Sequence, residues 1–197
     1  NPEEMVFYYF EGFAQYMKKE NEAALQTFKK GVAQIKPDSD PNIVSDFYAV
    51  MGDILHEKGL EKQAFEAYDS CLHWRPDNLS ALNNYAYYLS LTKSDLKKAE
   101  LMSYKTIKKE PTNSTFLDTY AWILFLQGRY EEANTYIEQA IKNDSTPSGT
   151  LFEHAGDIYY QAGKPEAALE AWQKALQLGN NSATLRKKIN LKKYIPE

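Results

Sequence analysis

Apolar positions along this chain recur at helical spacing, in stretches closed by glycine or proline. Three segments share one plan: HEKGLEKQAFEAY at 56–68, LQGRYEEANTYI at 126–137 and QAGKPEAALEAW at 161–172. Each holds a glycine (Gly59, Gly128, Gly163), a short polar step, an alanine (Ala64, Ala133, Ala168) and a large residue four positions on (Tyr68, Ile137, Trp172). Glycine ends a helix because it enters the left-handed conformation without strain. Alanine and a large residue at i, i+4 lie on one helix face. The pattern therefore predicts a helix, a tight turn and a second helix at each place. The stretch around Trp122 is apolar on every side, which predicts a helix with neighbours on most of its surface.

Small residues extend the pattern over the chain. One ladder runs Gly12, Gly52, Ala86, Ala121, Gly156, and a second runs Ala24, Ala64, Ala99, Ala133, Ala168. After a first step of 40, every step is 34 or 35 residues, and Pro37, Pro76 and Pro111 close three of the units. Self-similarity at this period predicts stacked helix pairs. A small residue in each helix lets a pair cross closely. The predicted units are 3–37, 43–76, 79–111, 114–145 and 149–180, followed by a capping helix over 182–192, all in one domain spanning 1–197. The segment KPDSDP (36–41) makes the first junction about six residues longer than the rest, which predicts a mobile surface loop.

These units resemble tetratricopeptide repeats. The second carries the family pattern in Tyr48, Met51, Gly52, Leu55, Ala64, Tyr68, Cys71 and Pro76, and the fifth in Phe152, Ala155, Gly156, Tyr159, Ala168, Trp172 and Ala175. The third departs from it, with Ser103 at a large position and one extra residue between Leu91 and Leu96. The resemblance implies an all-α, right-handed solenoid whose first helices line a concave groove. It also implies a protein-interaction scaffold and no enzyme. ALNNYAYYLS and TFLDTYAWILF look most like repeats of bacterial proteins that are exported or attached to an outer membrane. That likeness leans toward an exported location over a cytoplasmic one; the sequence itself leaves the compartment open.

Composition narrows the partners. The net charge of −4 argues against nucleic acid, which selects a basic surface. No apolar run approaches the roughly 20 residues of a membrane span. The lone Cys71 permits no internal disulfide and sits on a packed face, as a core thiol does. His56, His73 and His154 show no metal-ligand spacing, and no phosphate loop or nucleophile elbow occurs. Catalytic residues, metals and cofactors are not expected.

In the register the resemblance implies, Leu117, Tyr120, Ala121 and Leu124 face the core, and Asp118, Thr119, Trp122 and Phe125 face the groove. The same register brings Tyr9 and Phe13, Asp46 and Asp53, Asn83, Asn84 and Tyr87, and His154, Asp157 and Tyr160 to the groove. Such an acidic, aromatic lining suits a peptide or helix of a partner protein with basic or large apolar residues, and the two amides can hold a peptide backbone. The alternative is a structural spacer or docking module of a larger assembly with an empty groove. Helix 5–17 is aromatic nearly all round, where a terminal repeat should be polar outside. It is therefore expected to pack on upstream repeats of a longer parent chain, of which these residues form the C-terminal part, or on a second copy. The last helix carries Arg186, Lys187, Lys188, Lys192 and Lys193, expected to solvate the end of the array or to form a basic dock.

Overall fold

The computed structural model describes residues 2–196, with side chains from Met5 to Pro196; Asn1 and Glu197 of the predicted domain lie outside the described residues. Among these residues there are eleven helices and no strand: α1 (Pro2–Met17), α2 (Asn21–Val32), α3 (Pro41–Glu57), α4 (Glu61–Trp74), α5 (Leu79–Thr92), α6 (Leu96–Lys109), α7 (Ser114–Leu126), α8 (Tyr130–Asn143), α9 (Gly149–Gln161), α10 (Pro165–Gln177) and α11 (Ala183–Leu191). Short polar side chains open most first helices. The side chains of Asp40, Asn78, Asn113, Ser148 and Ser182 each accept from a backbone N–H two or three residues on, at 2.8–3.2 Å. Asp40 thus ends the 36–41 segment as the cap of α3, and within that segment the Ser39 hydroxyl accepts from Lys36 N–H. Gly59, Gly128 and Gly163 make the turns with φ of 71°, 77° and 77°. In the first and third pairs a lysine takes the same conformation, Lys19 at φ 61° and Lys93 at φ 51°, which a search for glycine does not find.

The small-residue ladders mark where the two helices of a pair meet. A Cβ at Gly12 would stand 2.5 Å from the Phe28 ring, and one at Gly52 would stand 2.8 Å from the Tyr68 ring. Gly156 faces Trp172 in the same way. Phe28, Tyr68 and Trp172 are fully buried. The third pair has Ala86 and the small Ser103 instead, and the buried Ser103 hydroxyl has no hydrogen-bond partner. An unpaired buried hydroxyl costs about 1–3 kcal/mol. Ser103→Ala should therefore leave stability unchanged or raise it by about 1 kcal/mol, and a clear drop in the urea midpoint would contradict this.

The chain divides into two compact units, Asn1–Tyr85 and Ala86–Glu197, with the division inside α5. In the first, α1 packs on α2 and α3 on α4, around Phe28, Val44, Phe47, Ile54 and Ala64. Phe47 meets Phe28 edge to face at 5.6 Å, joining one pair to the next. In the second, α7 packs on α8 and α9 on α10, with Leu117, Leu124, Ile137, Ile158 and Trp172 fully buried. The apolar helix α7 touches α6, α8 and α9, so its all-round hydrophobicity is met by neighbours.

Helix α11 corrects an expectation. Arg186 and Lys187, and Lys192 and Lys193 beyond its end, lie in solvent as expected, but Lys188 is 0% exposed and lies against α9.

Candidate partner-binding face

The first-helix residues named from the sequence prove to be of two kinds, those that join successive first helices and those that stay on the surface. Asp53 and Asp157 show the first kind. Each follows the small residue at its pair's crossing, and each accepts a hydrogen bond from the large residue 15 positions on, Tyr68 Oη–H or Trp172 Nε1–H. Each then accepts from a residue 31 positions on, Asn84 Nδ2 at 3.1 Å for Asp53 and Lys188 Nζ at 2.8 Å for Asp157. Helix α11 therefore stands in the register of a further first helix, with Lys188 in the place of Asn84. The recurrence of an Asp with hydrogen-bonding residues 15 and 31 positions on is present in the sequence, and it could have marked both joints.

In the second unit this join is an ion cluster. Lys188 Nζ donates to Glu153 Oε1 and Asp157 Oδ2, both at 2.8 Å. The other two carboxylate oxygens accept from Asn180 Nδ2 at 2.6 Å and from Trp172 Nε1 at 2.9 Å. Every oxygen has a donor, as a buried polar network requires. Burial pushes the Asp157 carboxyl up to about 6, with Lys188 and Trp172 pulling it down. Burial also works against the Lys188 charge, but Asp157 and Glu153 outweigh it and hold Lys188 above its ordinary value. The two shifts imply opposite preferences for the pair's charges. Two carboxylates face one ammonium, so Lys188 is held charged.

Trp122 looks at His154. The two rings stack at 4.2 Å and 16°, and Phe125 stacks on Trp122 at 4.9 Å and 18°. Tyr87 approaches His154 at 6.2 Å. His154 Nδ1 lies 2.9 Å from Asp118 Oδ1, a join between α7 and α9. Burial opposes the imidazolium, but Asp118, then Asp157 and Glu153, outweigh it, so the His154 pKa is raised from 6.5. Trp122 is half-buried and its indole N–H is buried without an acceptor.

The sign of the pH effect follows. A raised histidine pKa contributes stability that is complete below the unfolded value, near 6.5, and is lost as pH rises through the higher folded value. Protonated His154 stacked on Trp122 also quenches its fluorescence, so emission should rise as pH climbs through that value. The rise should be absent in His154→Gln. An identical profile in the two proteins would show that the stack does not titrate.

Of the remaining predicted residues, Asn83, Phe125, His154 and Asp157 are buried within the packing, and so is Thr119. Asp118, Tyr87 and Tyr160 are half-buried in the second unit. In the first unit Tyr9 donates to Asp46 Oδ2 at 3.3 Å, and Arg75 lies 3.9 Å from the other Asp46 oxygen. Asn83 Nδ2 donates to Asn84 Oδ1 at 3.4 Å. Phe13 stacks on Tyr9 at 6.1 Å and stays 40% exposed. The sequence thus named a set of first-helix positions without separating joints from surface.

Among the described residues no group of three His, Cys, Asp or Glu gathers as metal ligands would, and no helix is long and apolar enough to cross a membrane. Cys71 is buried beside the Ser45 hydroxyl at 3.2 Å, and burial pushes its thiol up to about 11, which suits a core residue rather than a nucleophile.

Comparison with known proteins matches residues 45–78 and residues 121–183 to the tetratricopeptide repeat. The type IV pilus assembly protein PilF of Pseudomonas aeruginosa is 26% identical over 152 residues, 77% of this chain and 60% of that relative's length. Its solved structure superposes with a TM-score of 0.73 at 18% identity, covering 96% of this chain and 89% of that one. MamA of Desulfovibrio magneticus RS-1 superposes with a TM-score of 0.71 at 18% identity, covering 91% and 98%. With its helix pairs, its small-residue crossings and these matches, the chain is a tetratricopeptide repeat protein of all-α solenoid fold.

Proposed function

We propose that this chain is a non-enzymatic scaffold whose first helices form a groove for a segment of a partner protein. Tetratricopeptide repeat proteins mediate interactions between proteins. The observation that carries the groove is the Phe13–Tyr9 face, where aromatic surface stays open beside Asp46, a carboxylate shared by Tyr9 and Arg75. That chemistry favours a ligand with basic or large apolar side chains. Affinity capture from the native host, followed by titration of the purified pair, tests it. Binding should be about micromolar, and it should weaken at high salt. A partner that binds equally to a chain carrying Asp46→Asn and Phe13→Ala would remove the groove from the reading.

A second surface favours a docking role as well. Phe7 is 76% exposed, whereas its counterpart Phe47, counted from Gly52 as Phe7 is from Gly12, is 0% exposed against Phe28 of the preceding second helix. Phe10 and Met17 continue the exposed stripe. Such a patch marks an interface. The reading is that another repeat's second helix covers it, from the same parent chain or from a second copy, and PilF's role in pilus assembly fits a module within a larger assembly. Light scattering after size exclusion checks this. Self-association that Phe7→Glu abolishes identifies the second copy; a monomer whose melting temperature is unchanged by residues encoded upstream would refute the docking role.

A further inference from the structure

We infer that the Phe13–Tyr16 face of α1, with the carboxylates of α3 beside it, binds a short basic segment through an aromatic side chain. The inference rests on the groove reading above and names its site and ligand class. The chain supplies the pattern itself. Counted from the small residues Ala121 and Gly12, Trp122 and Phe125 of α7 hold the places of Phe13 and Tyr16 of α1. In the second unit both rings are already covered, Trp122 by His154 of α9 and Phe125 by Tyr194. The chain leaves α11 through a left-handed turn at Lys192, φ 50°, and Tyr194 comes to lie edge-on to Phe125 at 5.7 Å and 79°. Lys188 Nζ sits 5.8 Å over the Tyr194 ring. An aromatic side chain, from a segment whose Lys192 and Lys193 stay exposed, is therefore what this face accepts in the second unit.

In the first unit the equivalent rings form a platform: Tyr9 and Phe13 stack, and Tyr16 lies 6.5 Å from Phe13. Phe13 keeps 40% of its surface exposed. The neighbouring helix contributes Asp53 and Glu57, whose field, after burial, raises the Tyr16 pKa, and Asp46 stands beside Tyr9. Aromatic surface beside negative charge complements an aromatic residue next to lysines. The ligand is a segment of another protein with two adjacent lysines followed by a tyrosine or phenylalanine.

The probe is a fluorescein-labelled peptide of residues 190–196, NLKKYIP, titrated into the full chain by fluorescence anisotropy at low salt. Binding is expected at about micromolar Kd. It should fall about tenfold or more with the peptides NLKKAIP and NLEEYIP, and by a similar factor with Phe13→Ala, while Phe125→Ala leaves it unchanged. The two peptide controls need no altered protein, so they hold whatever Phe13→Ala does to folding. Absence of binding by NLKKYIP, or equal binding by all three peptides, overturns the inference. Binding lost in Phe125→Ala but kept in Phe13→Ala means that the peptide replaces the chain's own tail; the site is then wrong and the groove reading survives. A host partner that binds the native chain and Phe13→Ala equally would likewise place the site away from Phe13.

Discussion

Lys188→Met is expected to destabilise the second unit by about 3–5 kcal/mol, the usual loss when one member of a buried ion pair is removed. Methionine nearly matches the lysine stem in volume, so packing changes little and the loss is electrostatic. Lys188 has a side-chain exposure of 1%, against 10% for Glu153 and 3% for Asp157. Without the ammonium two carboxylates face each other with water largely excluded. The deficit should depend on pH in a definite direction. Asp157 already has its pKa raised from 3.8 to about 6, and losing Lys188 removes the main influence that lowers it. A group whose folded pKa lies above its unfolded value withdraws stability as pH rises through the folded value. The variant should therefore approach the native protein below about pH 5 and fall furthest behind it above pH 7. Urea denaturation at pH 5 and pH 8 would measure both, and a deficit equal at the two values would mean that the carboxylates are not left charged and unpaired.

Gly156→Ala should cost about 2–3 kcal/mol, although alanine is the better helix former by about 1 kcal/mol. The added Cβ would overlap the indole ring of Trp172 at Cδ1, Nε1 and Cγ. That ring cannot swing aside cheaply, because it is fully buried and its N–H is bonded to Asp157. Overpacking of this kind costs about 1–3 kcal/mol, and a broken bond to a buried carboxylate adds to it. Gly52→Ala meets Tyr68 in the same geometry and should behave alike. Gly59→Ala is the contrast: nothing lies within 4 Å, so its loss of about 1 kcal/mol comes from the φ of 71° alone. If all three lost the same amount in chemical denaturation, contact at the crossings would not be what selects glycine there.

The alternation of small and large residues was enough to place the helix pairs and their crossings. A residue without a side chain opposite Phe28, Tyr68 or Trp172 has one steric meaning, and its period needs no tertiary information. Capping residues and most of the glycine turns were legible for the same reason, since their geometry is local. Sequence also marked Phe7 and Phe10 as excess apolar surface, and the structure leaves them exposed.

What the sequence could not decide was which polar first-helix residues are joints. Asp157, Glu153 and His154 are ordinary solvated types when read along one helix. Their burial depends on partners 31 to 36 residues away, Lys188 and Asp118, brought opposite them by packing. The tertiary structure alone made Lys188 of α11 a joint rather than part of the basic fringe, and it alone set Tyr194 on Phe125. The physical reason is that a charge's environment is set by what is stacked on it, which local periodicity does not encode.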